Sequence, residues 1–214
     1  GIQFVVTVIM ARFLLPSDYG MVGMLAIVLQ LSQTLMDSGF TNALIRYKER
    51  TEIDYSTVFF FNILASLVIY FLIFFLAPYI SWFYKIGQLV EITRILSIVI
   101  VLNSFAIIPK TKLIIAVDFK TQSKVSFIAA LVSGIIGIWA AYLDFGVWAL
   151  VGQTLVNGLL IVVLYAYFCR WKPLWIFSLK SFRLLFAFGS KLVLANILNT
   201  LYKNLYAIVI GKKF

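Results

Sequence analysis

Thr57–Leu76 reads TVFFFNILASLVIYFLIFFL, and this run decides the fold class. It holds 20 residues and contains no Lys, Arg, Asp or Glu. Because an α-helix rises about 1.5 Å per residue, the run is long enough to cross the roughly 30 Å hydrocarbon core of a bilayer. The sequence therefore predicts a transmembrane helix here.

Six further apolar runs raise the prediction to about seven spans. They are Ile2–Leu15, Met21–Met36, Ile92–Ile108 (with Leu89 as an alternative start), Val125–Leu143, Val147–Phe168 and Phe188–Ile210. The 214-residue chain is 63% hydrophobic and 12% charged, with a mean hydropathy of +1.04, which excludes an ordinary soluble domain. The runs are continuous rather than alternating, which argues against barrel strands. We predict an all-α, polytopic transmembrane helical bundle.

The basic residues predict how these spans are oriented. The chain carries 18 Lys and Arg against 8 Asp and Glu, a net charge of +10. Eleven of the 18 lie in alternate loops, within residues 46–50, 110–124 and 170–183. Cytoplasmic loops of membrane proteins are rich in Lys and Arg. We therefore expect these three loops on the cytoplasmic side, and we assign the basic excess to topology rather than to nucleic-acid binding.

Lys203 lies near the middle of Phe188–Ile210, where no Asp or Glu is present to neutralise it. A lysine at bilayer depth costs roughly 2.5 to 3.5 kcal/mol on insertion scales, so it normally faces a cavity or a partner. Asn196 and Asn199 recur with it at helical spacing and give the span one polar face. We interpret this face as the wall of a water-accessible cavity. Snorkelling to the interface, or an acidic partner elsewhere in the protein, is the alternative.

Other side chains suit structural roles. The stripe Ala130, Gly134, Gly137 and Ala141 predicts close helix packing. Residues 178–187 place Leu and Phe against Lys180 and Arg183, which predicts an amphipathic segment along the cytoplasmic interface. With no histidine and a single cysteine, Cys169, the sequence predicts neither a His-based metal site nor an internal disulfide, and we expect no cofactor.

Four stretches resemble a known family of membrane transporters. They are Ala11–Gly20 (ARFLLPSDYG), Asp37–Arg46 (DSGFTNALIR), Phe145–Val151 (FGVWALV) and Leu201–Leu205 (LYKNL). In these stretches the chain resembles the polysaccharide transporters, of the lipopolysaccharide or O-antigen flippase type, of the multidrug/oligosaccharidyl-lipid/polysaccharide flippase superfamily.

The resemblance implies two six-helix lobes, about twelve to fourteen helices in all, around a cavity that opens alternately to each side of the bacterial inner membrane. It implies a cargo, an oligosaccharide on an undecaprenyl pyrophosphate carrier, which is flipped for surface polysaccharide or lipopolysaccharide biosynthesis. The implied partners are this lipid-linked oligosaccharide, membrane lipids, and polysaccharide polymerase or assembly proteins. Nucleic acid is not among them, and the implied protein is not an enzyme.

The resemblance also implies a division of the chain. We expect residues 1–177 to form the N-terminal six-helix lobe with a truncated first helix, and residues 178–187 to form a cytoplasmic amphipathic connector. Residues 188–214 would then be the first helix of the C-terminal lobe. The end of the seventh run, AIVIGK over residues 207–212, repeats the pattern TVIMAR over residues 7–12, as expected for parallel repeats. Because the first run is too short to span alone and the chain begins with Gly, we expect a fragment of a larger transporter.

Amides in the spans extend the candidate cavity for such a cargo. Amides offer donors and acceptors to sugar hydroxyls, and a lysine offers a point charge to phosphate. The substrate-cavity candidates are Lys203, Asn199, Asn196, Gln30, Gln33 and Asn157. The isolated amides Asn62, Asn103 and Gln153 are instead typical of interhelical hydrogen bonding.

Two alternative functions remain open at this point. A multidrug or small-molecule exporter of the same superfamily would need acidic residues deep in its cavity. A membrane-embedded glycosyltransferase or polymerase would need acidic residues on a sizeable outer loop. The predicted spans and outer loops offer neither arrangement.

Overall fold

The computed structural model describes residues 2–37, 39–187, 189 and 198. Helices follow one another along these residues, and no strand is found among them. The helices are α1 (Ile2–Met10), α2 (Pro16–Asp37), α3 (Phe40–Arg46), α4 (Glu52–Tyr84), α5 (Leu89–Leu96), α6 (Ile98–Ile115), α7 (Phe119–Tyr142) and α8 (Val147–Cys169). Residues 179–187 are helical as well.

Five helical stretches in the described part of the chain are long and apolar enough to cross a membrane. They are Pro16–Arg46, Glu52–Tyr84, Leu89–Ile115, Phe119–Tyr142 and Val147–Cys169. They confirm the second to sixth predicted spans and the all-α polytopic bundle. Helix α1 has only 9 residues, fewer than a crossing needs. Apart from residues 189 and 198, the predicted seventh span lies outside the residues that the structure describes.

For the fourth predicted span the alternative start at Leu89 is confirmed, and the predicted end at Ile108 is too early. Helix α5 begins at Leu89, the alternative start, and α6 continues through Pro109 as far as Ile115. The sequence interpretation ended this span at Ile108, where the continuous apolar run ends. As a result it placed Lys110 and Lys112 in a loop, whereas both lie in the last turns of α6.

Small residues on α7 allow close packing with its neighbours, as predicted. A Cβ atom added at Gly134 would lie 2.6 Å from Cγ2 of Val6 on α1. One added at Gly137 would lie 3.0 Å from Cβ of Gln153 on α8. Such distances leave no room for a side chain, so the packing role of the stripe is confirmed at these two glycines.

Helix α4 contains a proline whose effect is offset by α5. Pro78 has no N–H, so the carbonyl of Phe74, four residues earlier, lacks its helical donor. Arg94 of α5 donates from Nε to that carbonyl at 3.4 Å, and its guanidinium lies 4.3 Å from the centre of the Phe74 ring. Arg94 therefore has a structural role in joining α5 to α4.

Residues 170–187, which follow α8, are called the strap below. The strap is tied to the start of α4 through Glu52, whose Oε2 accepts a hydrogen bond from Trp171 Nε1 at 2.8 Å. Oε1 of the same carboxylate lies 2.7 Å from Lys112 Nζ on α6. The start of α4, the end of α6 and the first residues of the strap therefore meet at one end of the bundle.

Two hydroxyl groups of α4 fix the backbone of the strap. Ser56 Oγ accepts from the N–H of Leu174 at 2.9 Å, and Thr57 Oγ1 accepts from the N–H of Ser178 at 3.1 Å. In the extended part of the strap, backbone N–H groups thus donate hydrogen bonds to α4 side chains rather than to the backbone of a neighbouring strand.

The helical part of the strap packs against α3 and α4. The Phe182 ring lies 5.8 Å from the Phe40 ring and 5.0 Å from the Phe61 ring, measured between centroids. Leu185 is 1% exposed and belongs to the same apolar cluster. At the bend between α2 and α3, Gly39 has a φ of 68°, and a Cβ added there would lie 2.5 Å from the carbonyl oxygen of Gly189. A glycine is required at this bend for both reasons.

We expect Gly137→Leu to lower the free energy of unfolding by about 1–3 kcal/mol, because the added side chain must push α8 away from α7. Gly152→Leu is the matched control, since a Cβ at Gly152 meets no atom within 4 Å. Both changes carry the same gain in helix propensity. Unfolding midpoints in mixed detergent micelles measure the effect, and equal midpoints for the two variants would contradict the packing assignment.

We expect Glu52→Ala to loosen the strap, because it removes both the ion pair with Lys112 and the acceptor for Trp171. A partly exposed pair contributes about 0.5–1 kcal/mol, so tryptic cleavage at Arg170 and Lys180 should become about two- to fivefold faster. Glu49→Ala, at an exposed acidic residue nearby, serves as the control. Unchanged cleavage in the Glu52 variant would show that the strap is held by other contacts.

Candidate functional site

A cavity of about 790 Å³ lies beside α6, at the end of the bundle that carries the strap. Its walls come from the end of α2, the start of α3, the second half of α6, the start of α7 and the end of α8. The polar lining residues are Gln33, Thr41, Asn103, Lys110, Thr111, Gln122, Ser123, Ser126 and Tyr165. The cavity thus brings these polar groups together, among apolar side chains, within a hydrophobic bundle.

Helix α6 contributes a base and an amide to this cavity. Lys110 is exposed and is the one charged side chain among the described residues that line it. Asn103 lies seven residues earlier, about two turns or 10 Å along the same helix face. Lys112, two residues after Lys110, points to the other side of α6 and pairs with Glu52. The two lysines therefore have separate roles.

The start of α7 is fixed by a capping residue next to the cavity. Asp118 Oδ2 accepts from Thr121 Oγ1 at 2.6 Å, and Oδ1 accepts from the Thr121 N–H at 3.0 Å. The hydrogen bond from the Thr121 side chain, together with the backbone one, lowers the pKa of Asp118 from its ordinary value. This cap positions the first turns of α7, from which Gln122, Ser123 and Ser126 line the cavity.

The exposed face of α2 differs from the exposed faces that suit lipid. On α2 the exposed positions Gly23, Ala26, Gln30 and Gln33 are small or polar. On α4 the exposed positions include Phe71, Leu72 and Phe75, with 54%, 54% and 69% of each side chain exposed. Small and polar residues in membrane helices face other helices or a water-filled space. The α2 face therefore extends the polar surface beyond the cavity itself.

The predicted site residues fall into three groups in the structure. Gln33 lines the cavity, and Gln30 lies about one turn away on the same exposed face of α2. Asn157 is not in the lining: its Nδ2 donates to Ser133 Oγ at 3.1 Å and joins α8 to α7. Asn196, Asn199 and Lys203 lie outside the residues that the structure describes, and their role remains a prediction.

Sequence reasoning missed two residues that the cavity brings forward. Lys110 was assigned to a loop, although the apolar residues Leu113–Ile115 that follow it signal that the helix continues. Asn103 was assigned to helix packing and instead lines the cavity. Asn62, given the same assignment, is fully buried, and its amide has no hydrogen-bond partner within the described part of the chain.

The lining defines the kind of ligand that the cavity can bind. Its described residues offer one cation, several neutral amides and hydroxyls, and no carboxylate. A lysine suits an anionic group such as phosphate, while amides and hydroxyls can both donate to and accept from ligand hydroxyls. The arrangement therefore suits an anionic ligand rich in hydroxyl groups, and its volume is that of a typical small-molecule site.

Three curated proteins are similar to this chain over most of its length. The teichuronic acid biosynthesis protein TuaB of Bacillus subtilis is 27% identical over 183 residues, which cover 85% of this chain and 38% of TuaB. The succinoglycan biosynthesis transport protein ExoT of Rhizobium meliloti is 28% identical over 88% of this chain and 39% of ExoT. The lipopolysaccharide biosynthesis protein WzxC of Escherichia coli is 26% identical over 99% of this chain and 44% of WzxC.

These similarities concern a part of each relative. The chain spans about two fifths of the length of the curated relatives that it matches. No solved structure matches it. Residues 9–214 match the family described as "Polysaccharide biosynthesis protein". Because this match covers nearly the whole chain, the chain belongs to the polysaccharide biosynthesis protein family.

Proposed function

We propose that the full-length protein is a flippase that moves an oligosaccharide on an undecaprenyl pyrophosphate carrier from the cytoplasmic to the outer leaflet of the bacterial inner membrane. The observation that carries this proposal is the cavity beside α6, because it combines one base with many neutral polar groups inside an apolar bundle. A lipid-linked glycan has the matching chemistry, with phosphates next to a hydroxyl-rich head and a polyisoprenyl chain that can stay in lipid.

Each part of the cargo has a matching part of the cavity. Lys110 lies near the end of α6, lines the cavity and serves as the phosphate contact. Asn103, Gln33 and Ser126 offer neutral hydrogen-bonding groups to the sugars. The polar face of α2 continues this route toward the rest of the protein.

The proposed architecture has two lobes with alternating access. Residues 1–177 form the first lobe, residues 178–187 the connector, and residues 188–214 the first helix of the second lobe. The basic segments 46–50, 110–124 and 170–183 are on the cytoplasmic side. The meeting of Glu52, Lys112 and Trp171 at one end of the bundle supports a shared side for these segments.

The names of the relatives support a glycan cargo and leave its sugars open. One relative is named for teichuronic acid biosynthesis, one for succinoglycan transport and one for lipopolysaccharide biosynthesis. These polymers differ chemically, so the shared requirement is a carrier-bound glycan rather than one sugar. The proposed transport needs no covalent chemistry, and the protein would work beside the polymerase and assembly proteins that use the flipped product.

We expect Lys110→Ala in the full-length protein to reduce export of the lipid-linked glycan by about tenfold or more, since a hydrogen bond to a charged group contributes about 1.5–3 kcal/mol. Lys120→Ala is the matched control, because Lys120 is an exposed base on the same side that does not line the cavity. Surface polysaccharide is measured in cells that depend on the variant, after equal membrane levels have been verified. Normal export with Lys110→Ala would remove this cavity from the proposed route.

We expect Lys203→Ala to abolish export while insertion and folding stay intact, and Lys203→Arg to be partly tolerated because a positive charge is kept. The reason is the free energy needed to place a lysine, with no acidic residue in its own span, at bilayer depth. This free energy is reduced when the lysine faces water and cargo. The same export assay applies. Full activity of the alanine variant would assign Lys203 to snorkelling or to a structural ion pair.

A further inference from the structure

We propose that the strap, residues 170–187, binds anionic phospholipids of the membrane leaflet on its own side, separately from any cargo in the cavity. The strap carries four bases, Arg170, Lys172, Lys180 and Arg183, and no Asp or Glu. A basic segment beside a membrane attracts anionic headgroups, at about 1 kcal/mol for each Lys or Arg near the surface. In the proposed topology this leaflet is the cytoplasmic one.

The strap also presents a fixed row of apolar side chains. Trp175 is 91% exposed, and the neighbouring Ile176 and Phe177 are about half exposed. Their backbone is held to α4 by the bonds from Leu174 and Ser178 to Ser56 and Thr57. Because the backbone is already anchored, these side chains are displayed outward rather than collapsed onto the bundle. In a membrane protein, exposed apolar side chains of this kind contact lipid chains.

The depth of the strap places these side chains at the membrane interface. Helix α4 has 33 residues, about 50 Å, so a position centred on the roughly 30 Å hydrocarbon core leaves about 10 Å beyond it at each end. Phe60 lies eight residues, about 12 Å, from the start of α4, and its ring centroid is 5.5 Å from that of Trp175. Trp175 therefore lies near the boundary between acyl chains and headgroups, where tryptophan is enriched.

The helical part of the strap separates protein contacts from lipid contacts. Phe182 and Leu185 face the bundle and pack with Phe40. Lys180 and Arg183 are exposed and three residues apart, so they share one face, which helical spacing directs away from Leu185. The strap thus has one side fixed to protein, one apolar side at the level of the acyl chains, and one basic side at the level of the phosphates.

The test uses full-length protein in vesicles of phosphatidylcholine and phosphatidylglycerol without any glycolipid, so it does not depend on the proposed function. A fluorophore is attached at Ile176→Cys in a background without other cysteines, Cys169 included, and its quenching by brominated phosphatidylglycerol is compared with quenching by brominated phosphatidylcholine. We expect preferential quenching by phosphatidylglycerol that weakens as salt is raised.

The double variant Lys180→Gln/Arg183→Gln should lose this preference by up to about thirtyfold, since each base contributes about fivefold. Lys48→Gln/Lys120→Gln, which removes two exposed bases outside the strap, is the matched control and should keep it. The proposal is overturned if the fluorophore is shielded from both lipids, as it would be beneath another part of the protein. Equal quenching by the two lipids in the labelled protein that keeps Lys180 and Arg183 would overturn it as well.

Discussion

The structure depends on the requirement that backbone polar groups be hydrogen-bonded inside a bilayer, where no water can satisfy them. Continuous helices meet this requirement over most of the described chain, and side chains meet it where the helices are interrupted. At Pro78 the freed carbonyl of Phe74 receives a donor from Arg94. Where the strap leaves helical conformation, Ser56 and Thr57 accept from its N–H groups. At these places charged and hydroxyl side chains form hydrogen bonds with backbone groups, which is a structural role.

The same constraint explains why the polar groups of the cavity are informative. Polar side chains within the spans are costly unless they find hydrogen bonds or water. Asn157 finds a partner in Ser133, so its polarity is explained by helix packing. Lys110, Asn103 and Gln33 instead surround a common space at one end of the bundle. Helix α6 connects this space to the strap, because Lys110 faces the cavity and Lys112 holds Glu52 on the opposite side.

Much of the fold could be predicted because the membrane imposes length and hydrophobicity on each span. The second to sixth spans and the packing of Gly134 and Gly137 follow from patterns that need no tertiary information. Less of the cavity could be predicted. The apolar run ends at Ile108, which placed Lys110 in a loop, although α6 continues to Ile115. A lone Asn103 looks the same in a sequence whether it faces a helix or a cavity.

The sequence by itself determined that this chain is a helical membrane protein, which spans it has in the described region and which family it resembles, because composition and run length act locally. Only the tertiary structure decided which polar residues share a surface. Gln33, Asn103 and Ser126 come from three helices that are far apart in sequence, and their meeting depends on how those helices pack. Likewise, nothing local pairs Glu52 with Trp171, which lie 119 residues apart and meet because the antiparallel helices return them to the same end.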